Sequence, residues 1–276
     1  VQLPDSLQKI GGGAFSSCRG LMEISLPEGL TSIGNQAFYG CMQIEKLVLP
    51  EGLKYLGSGA FGRCRALTEV TIPEGVTRMW ATFAYCTSLR TLNLPNGLTE
   101  MRDGVVEGCD SLETLHLPSK LEYISGIWPS KLKTVTTAFG SVRYVSEDGV
   151  LYDTQDNSIV FVNASITGHV TVRDGITKIG EGAFSGRAGL TGITLPESCT
   201  VIDPNAFKNC TSLTDINFPE KLELIGRNAF YNSGITSRKL SQPGIRVGSF
   251  AFAYCHQLKS VEITSTDFDL MEWAFA

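Results

Sequence analysis

Short apolar stretches return on a fixed beat along the chain, each closed by the same few residues. Leu21, Ile24 and Leu26 form an extended stretch that stops at Pro27, and Glu28-Gly29 turns. Leu30 and Ile33 make a second stretch, Gly34 turns again, and Ala37, Phe38 and Cys41 close the unit. Proline recurs at Pro4, Pro27, Pro50, Pro73, Pro95 and Pro118, at separations of 23, 23, 23, 22 and 23 residues, and again at Pro196 and Pro219. Phenylalanine keeps the beat at Phe15, Phe38, Phe61 and Phe83, then at Phe184, Phe207, Phe230, Phe252 and Phe275, with Val106 in the same slot. Nine of the 14 phenylalanines therefore share one slot, which an irregular globular core would not arrange. A unit of this size cannot bury its own apolar face, but stacked copies can, so the pattern predicts a solenoid. The extended stretch predicts one parallel strand per rung. The i, i+1, i+4 spacing of Ala37, Phe38 and Cys41 predicts a single helical or 3₁₀ turn.

The unit LxxIxLPEGLTxIGxxAFxxCxx is similar to the BspA-type bacterial leucine-rich repeat. Leu67 to Met79 (LTEVTIPEGVTRM) and Leu30 to Pro50 (LTSIGNQAFYGCMQIEKLVLP) follow that pattern nearly slot for slot, and the AF…C element separates it from commoner leucine-rich repeats. The resemblance implies an α/β repeat solenoid: a right-handed superhelix with a parallel β-sheet face, and short strands with helical or 3₁₀ turns on the other side. Gly29, Gly52 and Gly75 stand where the commoner repeat carries a backbone-bonding asparagine, so no asparagine ladder is expected.

Two segments break the beat. After Pro118 the rung shortens: Leu121 and Ile124 keep their slots, Trp128 stands in for the AF element, and Leu132 with Val135 start the next strand. From Ser141 to Thr167 the AF and Cys slots vanish. Asp148-Gly149 and Asp156-Asn157 are turn signals between β-rich runs, which predicts one or two inserted hairpins. A shorter irregularity runs from Asn232 to Arg246. The expected layout is a single solenoid over residues 1–276 of about eleven rungs. A first block covers 1–140, a β-hairpin insertion 141–168 and a second block 169–276. The chain starts in mid-rung and has neither an initiator Met nor a signal-like apolar stretch, which reads as a fragment or as a mature chain whose flanks are missing.

Composition narrows the function. With 23 basic and 28 acidic side chains the net charge is −5, which argues against a general nucleic-acid binder. No apolar run reaches the ~18 residues of a membrane span, so no membrane insertion is expected. Five of the eight cysteines, Cys18, Cys41, Cys64, Cys86 and Cys109, form a ladder in one slot, which Cys210 and Cys255 share. Cys199 takes a leucine slot. All eight read as small buried hydrophobes, with disulfides between adjacent rungs as the alternative. The histidines His116, His169 and His256 lie in different rungs, and no nucleophile, phosphate-binding or metal motif accompanies them. Asp153, Asp156 and Asn157 lack the EF-hand pattern and read as a polar turn. Asp5, Glu28, Glu51 and Glu74, with Glu197 and Glu220 in the same slot of later copies, align as an acidic stripe, read as a solvated edge with a cation or basic partner as the alternative. Tyr39, Tyr85, Tyr231 and Tyr254 flank the AF slot and read as packing between turns. No catalytic residue, metal or cofactor is assigned.

The strand positions that point away from the core remain as the candidate partner-binding surface. They are Glu23, Lys46, Glu69, Arg90, Thr91, Asn93, Thr114 and His116, with Thr214, Asp215 and Asn217 in the later block. This face is polar and mixed in sign, and Arg90 is its one residue of the type that dominates protein interfaces. The resemblance implies a monomeric, non-enzymatic interaction module of a bacterial cell-surface or secreted protein. Its ligand would be a host matrix protein or another surface protein, and its role adhesion or recognition. The alternative is a spacer that presents another domain.

Overall fold

In each rung the first apolar stretch alternates buried and exposed side chains, as at Glu69–Thr71, where Val70 is buried between two exposed neighbours. This period of two is that of a half-buried strand. Where the copy carries its proline, as at Pro73, Pro95 and Pro118, the strand ends before it, since proline has no N–H to extend a ladder. The carbonyls of Pro27, Pro50 and Pro73 each accept the N–H three residues on, at 3.0 Å, and so close the corner. The computed structural model describes residues 1–264 and 267–276. It divides into two compact units, Val1–Ser146 and Glu147–Ala276.

In the first unit, Glu69–Thr71 pairs in parallel with Thr91–Asn93, and Thr114–Leu117 with Thr134–Thr137. The second apolar stretch of the rung is also a strand. Lys9–Ile10, Ser32–Ile33 and Tyr55–Leu56 form one parallel ladder, and Arg78–Trp80, Glu100–Arg102 and Tyr123–Ile124 another. The rungs thus carry two strand ladders, one as the expected sheet face and one of the short strands expected on the other side. Trp128 is buried at the shortened rung, as are Leu132 and Val135 beyond it.

The third side of the rung corrects an expectation. No helix of either kind occurs among the described residues, and the AF element is a run of linked turns. The hydrogen bonds show why. The N–H groups of Ala37, Tyr39 and Cys41 close turns inside the rung, onto Gly34, Gln36 and Phe38 at 3.2, 3.1 and 3.1 Å. Those of Gln36, Phe38 and Gly40 cross instead to Ser58, Ala60 and Gly62 of the next rung, at 2.9, 2.8 and 2.8 Å. A helix would send every N–H back along its own chain. Alternation demands a left-handed backbone twice per rung, at Gln36 (φ 55°) and Gly40 (φ 75°). The same two positions are left-handed at Gly59 and Arg63, at Asn205 and Asn209, and at Phe250 and Tyr254. At the bulkier residues this costs about 1–2 kcal/mol each, which the cross-rung bonds offset.

In the second unit, Val150–Asp153 and Ser158–Val162 form the antiparallel hairpin. Its second strand opens a parallel ladder that continues through Lys178–Ile179, Val201–Ile202, Leu224–Ile225, Ile245–Val247 and Phe268–Leu270. Val162 fills the Phe slot, because its N–H donates to the Ala183 carbonyl at 3.0 Å as Phe184 donates to Ala206 at 2.8 Å. On the other strand side, Gly168–Thr171, Leu190–Thr194 and Asp215–Ile216 form one ladder, and Ser237–Leu240 pairs with Ser260–Ile263.

Each core is a column of rings. Phe15, Phe38, Phe61 and Phe83 stack in the first unit at 5.1, 5.2 and 5.8 Å. Phe184, Phe207, Phe230, Phe252 and Phe275 stack in the second at 5.1 Å throughout. Phe38 is wholly buried between two rings. Phe38→Ala is therefore expected to cost about 3–5 kcal/mol in urea unfolding. The glycine corner is as tight, since a Cβ on Gly57 would lie 2.3 Å from the Asn35 nitrogen and 2.4 Å from the Gly34 carbonyl carbon. Gly57→Ala should cost about 1–3 kcal/mol by overpacking. Gly11→Ala, with no atom within 4 Å of the new methyl, should change stability by less than about 0.5 kcal/mol. Equal unfolding midpoints for the two glycine variants would show that the rungs do not meet this closely.

Candidate partner-binding surface

The first strand of each rung holds its apolar side chains inward, so the residues between them are turned out. All eleven candidates are exposed. In the first unit Lys46 lies opposite Glu69, Glu69 opposite Thr91, and Thr71 opposite Asn93. Asn93 Nδ2 donates to Thr71 Oγ1 at 3.0 Å. Thr114 lies opposite Thr134 and His116 opposite Thr136, with His116 Nδ1 2.8 Å from Thr136 Oγ1. Arg90 precedes its strand, and its N–H donates to the Thr68 carbonyl at 2.8 Å. Glu23 is exposed but lies outside the paired strands. Lys46, Glu69, Thr91 and Asn93 are thus brought side by side.

In the second unit the candidates differ in how free they are. Asn217 is committed to the fold: its Oδ1 accepts the Leu195 N–H at 2.6 Å and its Nδ2 donates to the Leu195 carbonyl at 2.8 Å. Thr214 Oγ1 donates to the Thr191 carbonyl at 3.4 Å. Asp215 faces a group that sequence spacing does not reveal. His169 lies across Gly192, where a Cβ would sit 2.3 Å from its Nδ1. The imidazole thereby reaches Asp215 Oδ2 at 3.9 Å and, through Nε2, Thr194 Oγ1 at 2.8 Å. The only clue in the sequence is the glycine at a strand position where other copies carry a side chain.

Two further exposed residues join this face, Met22 at 63% and Val48 at 80%. Val48 belongs to a concavity of 590 Å³ also lined by Lys46, Glu51, Glu69, Thr71 and Glu74. The aromatic residues beside the AF turns pack partly on one another. Arg63 lies between the Tyr39 and Tyr85 rings, at 5.7 and 5.5 Å. The Tyr85 hydroxyl donates to Glu107 at 2.6 Å, and this carboxylate pushes the phenol up to about 12. Tyr231 and Tyr254 meet at 5.0 Å, although Tyr254 stays half exposed.

Asp153 is buried and spends Oδ1 on the N–H groups of Gln155 and Asp156, at 3.0 and 3.2 Å, which shapes the hairpin turn. Among the described residues no group of three or more His, Cys, Asp or Glu is placed to hold a metal ion. No helix there is long and apolar enough to cross a membrane.

The cysteines are more than filler. Cys41, Cys64, Cys86 and Cys109 donate their thiol hydrogens to the carbonyls of Phe15, Phe38, Phe61 and Phe83, at 3.0, 3.3, 3.1 and 3.1 Å. Cys210 and Cys255 do the same to Phe184 and Phe230, both at 3.0 Å. Burial pushes Cys64, Cys109 and Cys210 up to about 12 and Cys199 to about 11. Arg187 takes the Cys slot in the rung after the hairpin. It is buried, and its Nε donates to the Val162 carbonyl at 2.8 Å, the bond a thiol makes elsewhere. Burial lowers its guanidinium to about 10, still cationic at neutral pH. One cysteine departs from the buried reading: Cys18 is exposed. In the native protein at pH 8, a thiol reagent should modify one cysteine promptly and all eight after unfolding. Several fast thiols would show that solvent reaches the ladder, and fewer than eight after unfolding would reveal disulfides.

The sequence profile of the BspA type leucine rich repeat region matches residues 1–81, 80–128 and 156–276, in six copies. The crystal structure of a leucine rich cell surface protein from Faecalibacterium prausnitzii A2-165 is similar, with a TM-score of 0.80 and 28% identity over 96% of this chain and 78% of that one. Pneumococcal vaccine antigen PcpA matches at TM-score 0.66 and 18% identity, over 99% of this chain. The chain spans 65% of PcpA, less than two thirds of its length. A leucine-rich repeat protein from Eubacterium ventriosum ATCC 27560 matches at TM-score 0.60 and 17% identity, over 97% of this chain and 73% of that one. At such identities the last two are likenesses of fold. The search of curated proteins finds no match.

Proposed function

The chain belongs to the BspA-type leucine-rich repeat family, and we propose that it is a non-enzymatic protein-interaction module of a bacterial cell-surface or secreted protein, acting in adhesion or in recognition of a host or another cell. The observation that carries this reading is the first-strand face. Buried ladders hold its outward side chains in register, so a row of polar groups is presented at fixed spacing without further ordering cost. In the first unit the binding row is Lys46, Glu69, Arg90, Thr91, Asn93, Thr114 and His116, with Glu23 at its margin. In the second it is Thr214, Asp215 and Asn217, with Asn217 as the framework member. The similar cell-surface protein of Faecalibacterium prausnitzii supports a surface location. The partner is a protein, such as a host matrix protein or a surface protein of another cell.

The test is binding of the full chain to host cells, bacterial cells and immobilised matrix proteins. Replacing Arg90, Asn93 and His116 together by alanine should weaken binding about tenfold or more, as loss of interface residues does. All three are exposed, so stability should move by less than about 0.5 kcal/mol per site. Absence of any binding by the unaltered chain at micromolar concentration overturns the reading.

A further inference from the structure

The first-strand face of the first unit is not uniform, and its most distinctive place is the concavity between the rung of Lys46 and the rung of Glu69. Val48, 80% exposed, stands in it as an uncovered apolar contact beside the Thr71 hydroxyl. Around them stand Glu51, Glu69 and Glu74, with Lys46 the single cation of the lining. None of the three carboxylates makes an ion pair among the described residues. Glu74 is partly used, because its Oε1 accepts from the Asn96 N–H and Nδ2 at 3.2 and 3.0 Å. Glu45, which precedes Lys46 in the same rung, and Glu23 and Glu28 of the preceding rung are exposed as well.

We propose that this concavity docks an extended, basic segment of a protein partner. The inference rests on the interaction-module reading above and names its chemistry. Lysine or arginine side chains of the segment lay their aliphatic stems on Val48 and place their cationic heads at Glu51, Glu69 and Glu74. The apolar floor fits a side-chain stem and does not fit a hydrated ion. The recess runs from Lys46, which bridges to Glu69, along the strand Glu69–Thr71 to the turns that carry Glu51 and Glu74, so side chains of an extended peptide can reach more than one carboxylate. Opposite charge steers the encounter and rejects acidic segments.

The test uses the full chain and two fluorescein-labelled eight-residue probes, one alternating lysine with valine and one alternating glutamate with valine, read by anisotropy. The basic probe should bind and weaken several-fold as salt rises, and the acidic probe should not bind. The combined variant E51Q, E69Q and E74Q should lose about tenfold or more in affinity for the basic probe, and Val48→Ser about threefold. Glutamine can still accept the Asn96 bonds, and matching thermal melts exclude a folding defect. The pair E197Q and E220Q, at the equivalent corner of the second unit, should change affinity less than twofold. The site is overturned if the triple variant binds within twofold of the unaltered chain. Equal binding of the acidic probe, or an equal loss in the second-unit pair, also overturns it. Any of these results beside intact binding to cells or matrix proteins removes this site and leaves the module reading standing. A bound basic probe without cell or matrix binding does the reverse.

Discussion

Both units depend on how the Phe-slot peptide divides its hydrogen bonds. Its N–H reaches forward to the next rung, as from Phe38 to the Ala60 carbonyl at 2.8 Å. Its C=O accepts the local Cys N–H and, from the next rung, a thiol. The rung cannot slide or tilt without losing one of these, and the distance they set is the distance at which rings stack face to face. The close approach that forbids a side chain at Gly57 and the regular presentation of Lys46 and Glu69 both follow from that spacing. Burial of one ring is worth about 2–3 kcal/mol. The directional part comes from the backbone, which makes these particular rings coaxial.

The repeats, the Phe column, the Cys ladder and the hairpin were legible because each repeats a residue type in a slot or carries a turn signal with a known geometry. The AF turn departs from the helical expectation for a definable reason. Ala37, Phe38 and Cys41 fall on one side of a helical turn, and they fall inward equally well from linked turns with alternating N–H directions. Apolar spacing does not separate the two. The discriminating signal lay in the left-handed positions, occupied by Gly59, Asn205, Asn209, Asn228 and Gly182. Gln36, Ala81, Tyr85 and Phe250 in the same positions hide it, since those residues resist that conformation.

The candidate surface was legible as a list of outward positions and less so as chemistry. Alternation puts Asn217 outward, but its amide folds back onto the Leu195 backbone, a use that depends on the neighbouring rung and not on the local pattern. His169 and Asp215 are 46 residues apart in the chain, and only the parallel stacking over Gly192 brings them together. The thiol ladder shows the same limit. A cysteine and a small apolar residue look alike in a buried slot, and only the Phe carbonyl of the preceding rung shows that the slot calls for a donor. Arg187 answers that demand with other chemistry, whereas Ser233 in the same slot lies 3.3 Å from the Cys255 sulfur.

Within the phenylalanine columns two steps are one residue short, and they lose it in different places. Three residues, Gly57 to Gly59, separate Leu56 from Ala60, whereas only Trp80 and Ala81 separate Met79 from Thr82. At the other corner, Thr211 and Ser212 separate Cys210 from Leu213, whereas Gly234 alone separates Ser233 from Ile235. Across these deletions the rings still lie 5.8 and 5.1 Å apart. The phenylalanine column therefore acts as a phase reference. A corner can gain or lose a residue, the error is cancelled within that turn, and the next copy restarts in step. Such an array can diversify its exposed residues and its corners copy by copy, without a compensating change anywhere else along the column.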